Sequence, residues 1–514
     1  MPNLAADGSA LKRRLRKAER ARKMRALALV APLLVFVLVT FIAPIADMLF
    51  RSVENQIVSE TLPRTVVALD DWDHRSGRAP DEDVFAALYV DLYEARAFKV
   101  HTRLASRLNY ERNGMASLFR KTGRKIARMD TGRYAQAFKD LDAAWADPGA
   151  WNALMSDPHS AALLPETSSA WSSWRRVVSH RGDALAETEP DDVVFVTLYR
   201  DLQSNGERIA TAVGPQSERL KTAAQAAAQM EPLSLRDQFL GIEDGWGDTG
   251  IWGTIAAFSD PYTAGYFLAA VDLQYTAEGV QGQPESQRIY ILLFERTLIL
   301  SLVITLTCVL LGYPVAYLLS NLPLRISNLL LILVLLPFWT SLLVRTSAWK
   351  VLLQQQGVIN DLLVWSGLVA DDERWAMINN QTGTIIAMTH ILLPFMILPL
   401  YSVMKTIPGA YARAARSLGA NEWTVFRRVY FPQTVPGIGA GCILVFILAI
   451  GYYITPELVG GTTGTFISNR IAYHISSSLN WGLAAALGSI LLVVVVVLYW
   501  VYDKIVGIDN VKVG

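Results

Sequence analysis

Six polar or aromatic side chains that could bind a solute lie inside, or at the ends of, strongly apolar stretches of this 514-residue chain. Polar groups are costly in an apolar environment, so those retained there are candidates for a transport pathway. Aromatic rings and a carboxylate facing one cavity would suit an alkylammonium ligand, through cation–π contact and charge pairing. The candidates are Glu295, Trp339, Arg345, Trp349, Tyr452 and Glu457.

Some of these candidates also have a plainer interpretation, and the sequence leaves it open. Arg345 could extend along apolar surface to a membrane interface. Glu457 could be an ordinary loop carboxylate. Trp339 could belong to an interfacial aromatic belt or to helix packing.

Motifs for catalysis are missing from the sequence. No G-x-x-x-x-G-K-[ST] phosphate loop occurs, and GGTTGTF (460–466) lacks the lysine. The six histidines are scattered without metal-ligand spacing, and Cys308 and Cys442 lie in apolar runs. We therefore expect no catalytic site, no metal and no cofactor bound by this chain.

Long apolar runs define the class of protein. About 20 apolar residues in a helix cross a hydrocarbon core roughly 30 Å thick. Six such runs predict an all-α integral membrane protein, with the first run as an uncleaved anchor because it exceeds a typical signal-peptide core. The runs lie at about 26–48, 289–318, 327–350, 382–404, 434–455 and 481–502.

Charges in the short segments predict the orientation. Residues 12–25 hold nine Lys/Arg against Glu19, and 405–428 hold five against Glu422, whereas 351–380 is acidic. Lys/Arg-rich segments stay in the cytoplasm, so both ends should lie inside. The predicted parts are a basic cytoplasmic segment (1–25), a first span (26–50), an extracytoplasmic insertion (51–285), a five-helix membrane core (286–507) and a cytoplasmic tail (508–514).

The insertion contains an internal repeat. LPRTVVALDDW (62–72) matches LPETSSAWSSW (164–174), PDEDVFAALYVDL (80–92) matches PDDVVFVTLYRDL (190–202), and WADPGAW (145–151) matches WGDTGIW (246–252). Ordered matches at offsets near 100 residues indicate a tandem duplication. The predicted units cover about 59–157 and 161–260.

Each unit is predicted to be mainly helical, because Val84, Phe85, Leu88, Tyr89 and Leu92 form one apolar stripe. We expect the matched tryptophans to be buried, with Asp147 and Asp248 capping a short helix and Gly149 and Gly250 making the turn. The 24 Lys/Arg against 34 Asp/Glu give the insertion a net charge of −10. It could dock a receptor or collect a cationic solute, or it could be a structural cap.

The segment 405–433 interrupts the apolar runs with two short predicted helices. Pro408 suits a first helical turn, and Gly419 suits a left-handed helix end. Asn421 can cap the second helix, EWTVFRRVY, which Pro432 should stop. Without further information this would be an ordinary basic loop.

The spacing in this segment resembles the cytoplasmic loop of permease subunits of binding-protein-dependent ABC importers. The family pattern is E-A-A, three residues, Gly, nine residues, then Ile-x-Leu-Pro. Here Ala414, Ala415, Gly419 and Pro432 stand at family positions, and Arg413 stands where the family has glutamate. In the family this loop is the coupling helix that contacts the ATPase, which implies that role for Arg413, Ala414, Ala415, Leu418, Gly419 and Pro432.

The strings GYPVA (312–316) and PFWTS (337–341) are similar to the spermidine/putrescine branch of that family. The resemblance implies the type I (MetI-like) permease fold in a bacterial inner membrane. It also implies a separate ATPase that binds the ATP, a second permease in a heterodimer and an extracytoplasmic binding protein. The implied solute is a polyamine, a related organic cation or an amino-acid derivative.

Alternative functions are another solute class on the same scaffold, a channel and a membrane-anchored sensor that uses the insertion. A channel needs no coupling loop, and a sensor needs a cytoplasmic signalling region that the short predicted tail does not supply. The insertion lies outside the part of the chain that the resemblance covers.

Overall fold

The computed structural model of the protein describes residues 8–232, 234–276 and 279–506. These form two compact units. The membrane unit comprises 8–53, 270–272 and 284–506, and the insertion domain comprises Glu54–Ala269 and Leu273–Gln283. Residues 1–7 of the predicted basic segment, residue 507 and the predicted tail, 508–514, lie outside the described residues.

The membrane unit begins with one long, nearly continuous helix. Helix α1 (Gly8–Val37) passes through a π-helical turn, Leu38–Ile42, into α2 (Ala43–Arg51). Its stretch Lys17–Arg51 is apolar and long enough to cross a membrane, and it contains the predicted first span, 26–48.

The insertion domain is almost entirely helical. Its helices are α3 (Gln56–Thr61), α4 (Pro63–Leu69), α5 (Glu82–Ala97), α6 (His101–Asn109), α7 (Met115–Lys125), α8 (Gly132–Leu141), α9 (Pro148–Ser156), α10 (Pro158–Leu163), α11 (Pro165–Arg181), α12 (Asp192–Ser204), α13 (Gly206–Ala210), α14 (Ser217–Ala227), α15 (Leu235–Ile242), α16 (Thr249–Ala257) and α17 (Gly265–Ala270). An antiparallel hairpin that the sequence did not predict follows, with β1 (Leu273–Thr276) paired to β2 (Gly279–Gly282).

The matched W-x-D-x-G-x-W blocks adopt the same local structure. The indole N–H of Trp151 donates to the carbonyl of Trp145, and that of Trp252 donates to Trp246, both at 2.8 Å. Asp147 caps α9 and Asp248 caps α16. The two glycines lie in the first turn of these helices, and each supplies a backbone N–H to its capping aspartate.

The pair of tryptophans at the start of the repeats is not equivalent. Trp174 is fully buried on the 17-residue helix α11. Trp72 is only half-buried, because α4 ends at Leu69 and leaves Trp72 in a loop, where its indole N–H donates to the carbonyl of Arg78. The expectation that both are buried was therefore wrong for Trp72.

A buried aspartate fastens the first helical turn of each repeat. Asp91 accepts hydrogen bonds from the backbone N–H and the hydroxyl of Thr65, both at 2.8 Å. Asp201 accepts the equivalent pair from Thr167, both at 2.7 Å. Each carboxylate thereby satisfies N–H groups that the helix itself leaves unpaired.

The rest of the membrane unit is helical too. It contains α18 (Tyr290–Asn321), α19 (Leu324–Leu335), α20 (Leu342–Leu352), α21 (Val358–Trp365), α22 (Gln381–Thr406), α23 (Gly409–Ser417), α24 (Glu422–Val425), α25 (Phe431–Gly451), α26 (Ile454–Val459), α27 (Ile467–Ser476) and α28 (Trp481–Val506). Short 3-10 turns, such as Leu336–Trp339, separate some of them.

Five helical stretches in the described residues are apolar and long enough to span a membrane, and a bent pair makes up to six. The predicted all-α membrane fold is confirmed. The predicted third span, 327–350, is not one straight helix: Leu324–Trp339 and Leu342–Leu352 meet at 94°. Pro337 lies in the 3-10 turn and Ser341 caps α20, so the helix ends and restarts there.

Helices α18, α22 and α25 pack closely around Met396. A Cβ added at Gly312 of α18 would lie 3.1 Å from the Met396 side chain, and one at Gly441 of α25 would lie 2.5 Å from its sulfur. Glycine at both positions therefore permits the close approach of the three helices. Buried Asp272 accepts the backbone N–H groups of Ile289, Tyr290 and Ile291 and so caps α18.

Candidate functional site

Helix α23 ends in a Schellman turn at the centre of the 405–433 loop. Gly419 has φ +87°, and its N–H donates to the carbonyl of Arg416 at 2.9 Å. The N–H of Ala420 donates to the carbonyl of Ala415 at 3.1 Å, which completes the motif. Glycine adopts this left-handed conformation at little cost, so the local backbone explains the residue type.

The second half of the loop is continuous with the next span. The Asn421 side chain accepts the N–H of Thr424 at 2.8 Å and begins α24. A π-helical turn, Phe426–Tyr430, then leads directly into α25. Pro432 was expected to stop this helix but lies in the first turn of α25, where the preceding π turn already replaces the normal hydrogen-bond pattern.

The loop presents an apolar, exposed surface at its turn. Leu418 is 89% exposed and Trp423 is 67% exposed. Arg413, Ala414 and Pro432 are exposed as well, and Ala415 is half-buried. An ion pair at 2.7 Å between Arg416 and Glu422 joins the two helices across the turn. The surface is therefore held in shape by the backbone turn and by one cross-link.

A cavity of about 510 Å³ opens beside the loop. Its lining is rich in aromatic rings, and Lys405 at its edge donates to the carbonyl of Ser320 at 3.1 Å. The Tyr313 hydroxyl lies 3.2 Å from that of Thr434, which ties α18 to α25 just above. The aromatic lining residues are Tyr317, Tyr411, Trp423, Phe426 and Tyr430.

The predicted pathway residues fall into two groups. Arg345 and Trp349 lie on α20, and Tyr452 and Glu457 lie on or just before α26. The hydroxyls of Thr346 and Thr455 lie 3.1 Å apart and hold these two helices together. Glu295 and Trp339 are exposed and make no side-chain hydrogen bond to this group in the described part of the chain.

The carboxylate of Glu457 is fixed by a neighbouring helix. It accepts a hydrogen bond from the Asn469 side chain at 2.6 Å. Asn469 also donates to the carbonyl of Tyr453, and Ser468 donates to that of Tyr452 at 2.7 Å. Glu457 therefore has a defined position and exposed oxygen, rather than the freedom of an ordinary loop carboxylate.

Two partners in this region were missed by the sequence analysis. His390 on α22 lies 3.0 Å from the indole nitrogen of Trp349, and Asn469 holds Glu457. A lone polar residue within an apolar run, THILLPF, was the available signal for His390. Asn469 had no such signal, because only the tertiary fold brings its side chain to Glu457.

No group of three or more His, Cys, Asp or Glu in the described ranges could hold a metal ion. Cys308 is buried, Cys442 is half-buried, and both are free thiols. The geometry of this unit is that of a helical membrane scaffold with an exposed helix–turn–helix at one loop and a polar cluster around α20 and α26.

Comparison with known proteins identifies the family that this helical scaffold resembles. Residues 297–506 match the family model described as the binding-protein-dependent transport system inner membrane component. The spermidine/putrescine transport system permease protein PotB of Escherichia coli (strain K12) is 36% identical over 225 residues, which cover 44% of this chain and 81% of that protein. PotB of Haemophilus influenzae is 38% identical over 217 residues, covering 42% and 75%.

A solved bacterial alginate ABC transporter, in complex with an alginate pentasaccharide-bound periplasmic protein, has one chain with 20% sequence identity and a TM-score of 0.38. It covers 44% of this chain and 81% of that one. The insertion domain lies outside the matched family segment.

The chain belongs to the family of binding-protein-dependent transport system inner membrane components, the MetI-like permeases. It is a permease subunit of an ABC importer and a multi-pass inner-membrane protein.

Proposed function

We propose that this permease works with a separate ATPase subunit, a second permease and an extracytoplasmic binding protein, and that the 405–433 loop couples it to the ATPase. The observation that carries this proposal is the exposed helix–turn–helix centred on Gly419. In this proposal both ends of the chain and the loop face the cytoplasm, as their Lys/Arg content favours.

The loop has the features of a docking element. Leu418 and Trp423 offer apolar contact area, and aromatic side chains are common anchors at interfaces. Because α24 continues through the π turn into α25, a displacement of the docked loop reaches the span without a flexible joint. ATP-driven closure of the ATPase subunits would in this way change the access of the pathway.

The proposed solute is a polyamine or a related organic cation or amino-acid derivative. Two observations support it: the names of the relatives, and the exposed carboxylates of Glu295 and Glu457 with exposed Trp339 in the membrane unit. Carboxylates and aromatic faces attract alkylammonium groups. A different solute class on the same scaffold remains the alternative, since the fold does not determine the solute.

Deletion of 411–431 tests the coupling role. The complex is reconstituted with its ATPase subunit, second permease and binding protein, and ATP hydrolysis is measured with and without loaded binding protein. We expect the wild-type complex to be stimulated and the deletion to abolish that stimulation. Unchanged stimulation after the deletion would refute the coupling role.

The solute is tested separately on the cognate binding protein. Its thermal unfolding is measured across a panel of polyamines, amino acids, sugars and oxyanions. A tightly bound solute raises the unfolding temperature because it binds only the folded state. Stabilisation by sugars or oxyanions alone would reject the proposed solute class and leave the coupling role untouched.

The insertion domain is proposed to dock the binding protein or to collect a cationic solute, with its charge of −10 as support. Such a field acts over a Debye length of about 8 Å at physiological salt. Replacing 55–280 by a short linker should leave assembly with the ATPase intact and remove binding-protein stimulation. Normal transport at low solute concentration would show that the domain is a structural cap.

A further inference from the structure

Arg345 has buried hydrogen-bond donors without an acceptor. Its Nε and Nη1 atoms are inaccessible to solvent and have no hydrogen-bond partner in the described residues. No ion pair joins Arg345 to a carboxylate among the described residues, and the side chain is half-buried, with Nε and Nη1 the two inaccessible nitrogens. An arginine cannot shed its proton to avoid this situation.

The position of Arg345 in the membrane unit raises the free-energy cost of leaving its charge unpaired. It lies on α20, whose Trp349 contacts His390 on the spanning helix α22. His390 is nine residues beyond the first residue of α22, or about 14 Å along a helix axis. The cluster therefore lies at a depth where an unpaired charge is unfavourable and where polar residues are retained for function.

His390 adds a further donor on the neighbouring helix α22. The indole of Trp349 can only donate, so the His390 Nδ1 atom, 3.0 Å away, must be an acceptor without a proton. The ring is then neutral, with its proton on Nε2. No partner for that Nε2–H is found within the described part of the chain.

The geometry of these donors favours one kind of ligand. A guanidinium group presents parallel N–H groups that match the two oxygens of a carboxylate. Glu457 is on the helix that contacts α20, but its carboxylate hydrogen-bonds Asn469 and forms no ion pair with Arg345. None of the described residues accepts a hydrogen bond from the Arg345 Nε and Nη1 atoms, so a carboxylate from outside them fits this position.

We propose that Arg345, with His390 held by Trp349, binds a carboxylate. The carboxylate belongs to the transported solute or to the second permease. This inference rests on the proposed function and deepens it, because a carboxylate on the solute would select amino-acid derivatives from the proposed solute classes. An arginine in the pathway would otherwise repel a purely cationic solute.

The test compares Arg345→Gln, which removes the charge, with Arg345→Lys, which keeps it. Arg325→Gln serves as the control, since Arg325 is an exposed arginine of the same unit. Each complex is assayed for uptake of putrescine and of 4-aminobutyrate, which has the same four-carbon chain ending in a carboxylate. Co-purification of the second permease and thermal unfolding of the isolated chain are measured in parallel.

If the carboxylate belongs to the solute, Arg345→Gln should lower 4-aminobutyrate uptake at least about tenfold and leave putrescine uptake unchanged. If the carboxylate belongs to the second permease, uptake of both solutes should be lost and co-purification should be weaker. In either case Arg345→Lys retains part of the lost property, and the isolated Arg345→Gln chain unfolds at the same temperature as wild type or higher, because an unpaired buried charge is removed.

Three results would overturn the proposal. In the first, Arg345→Gln behaves as Arg325→Gln in uptake and co-purification. In the second, the Lys and Gln variants fail equally and the isolated chains unfold earlier, which indicates packing. In the third, Glu457→Gln reproduces every effect, which indicates an internal partner. Wild-type uptake of neither solute would reject the proposed solute class, and co-purification with thermal unfolding would then decide the role of Arg345.

Discussion

The insertion domain and the membrane unit differ in how their apolar side chains are covered. The insertion domain encloses large aromatic side chains in one core, with Phe85 contacting Trp252 and Phe195 contacting Trp151. The membrane unit leaves apolar side chains such as Leu310 (74% exposed) and Val497 (50% exposed) on its helix surfaces. Five tryptophans of the insertion domain are fully buried, namely Trp145, Trp151, Trp174, Trp246 and Trp252.

This difference shows which unit depends on other molecules. The insertion domain buries its own large aromatic side chains, as a water-exposed domain must. The membrane unit leaves apolar helix surfaces that lipid or other subunits would cover. The proposed second permease accounts for part of this dependence, and the proposed carboxylate for Arg345 would come from outside the described residues as well.

A second comparison, within the insertion domain, shows how a duplication diverges. In the first repeat Arg64 pairs with Asp91 at 2.8 Å. The second repeat has Glu166 at the position of Arg64, and it pairs with Arg200 at 2.7 Å, next to Asp201. Both arginines also reach the other repeat, Arg64 at Ser169 and Arg200 at Asp83. The fold has kept an ion pair at each site while exchanging the positions of its charges.

The largest expected effect comes from emptying the core of either repeat. Trp252→Ala and Trp151→Ala should each destabilise the insertion domain by about 3–5 kcal/mol, because the fully buried indole leaves a cavity and an unpaired carbonyl. Hydrogen exchange of the domain helices in the full chain measures this. Val213→Ala, at a side chain 85% exposed, is the control and should be nearly neutral.

If one tryptophan variant were as stable as the control, the two repeats would not share one way of building a core. The half-buried Trp72 gives a graded check, since Trp72→Ala should cost less than Trp174→Ala.

The next effect distinguishes the two buried aspartates by pH. Burial raises the pKa of Asp201 from 3.8 to about 6, and the nearby charge of Glu166 adds to this. The folded state therefore binds this proton more tightly than the unfolded state. The resulting stability is complete below about pH 4 and is lost as the pH rises through about 6, a loss of up to about 3 kcal/mol.

The measurement is the stability of wild type minus that of Asp201→Asn between pH 4 and 7, from hydrogen exchange of α11 and α12. Burial also raises the pKa of Asp91, but the positive charge of Arg64 opposes that shift, whereas Asp201 has the like charge of Glu166 nearby. Asp91→Asn should therefore show a smaller pH-dependent difference. A flat difference for Asp201→Asn would contradict this account.

The smallest effect concerns the exposed ion pair in the loop of the membrane unit. Glu422→Gln removes the partner of Arg416 and should change the free energy of unfolding by only about 0.2–1 kcal/mol, since exposed pairs are screened. Thermal unfolding of the chain measures this, with Glu373→Gln as a control at an exposed carboxylate. A loss above that range would mean that the turn relies on the ion pair more than on Gly419.

Features set by neighbouring residues were predictable from the sequence, and features set by distant contacts were not. The turn at Gly419 and the caps at Asp147, Asp248 and Asn421 follow from residue type and spacing. The 94° bend in the third span also has local signals, Pro337 and Ser341, but the continuous apolar run around them was interpreted as one straight span.

Long-range contacts account for the other omissions. The hairpin after α17 and the cap that Asp272 provides to α18 depend on where the chain returns. Arg345 was recognised as a candidate from its apolar surroundings, but its neighbour His390 became evident only once α20 and α22 were placed together.

The central claim, that the 405–433 loop couples this permease to its ATPase, is tested most directly by a pair of glycine variants. Gly419 (φ +87°) and Gly367 (φ +74°) both have positive φ and open space around the Cβ position. Valine at either should therefore impose a similar strain of about 1–2 kcal/mol.

The measurement is binding-protein-stimulated ATP hydrolysis by the reconstituted complex. The account predicts that the Gly367→Val complex retains the stimulation. The Gly419→Val complex should assemble and keep its basal hydrolysis but lose most of the stimulation by the binding protein. Equal stimulation in the two variants, with both complexes fully assembled, would contradict the claim.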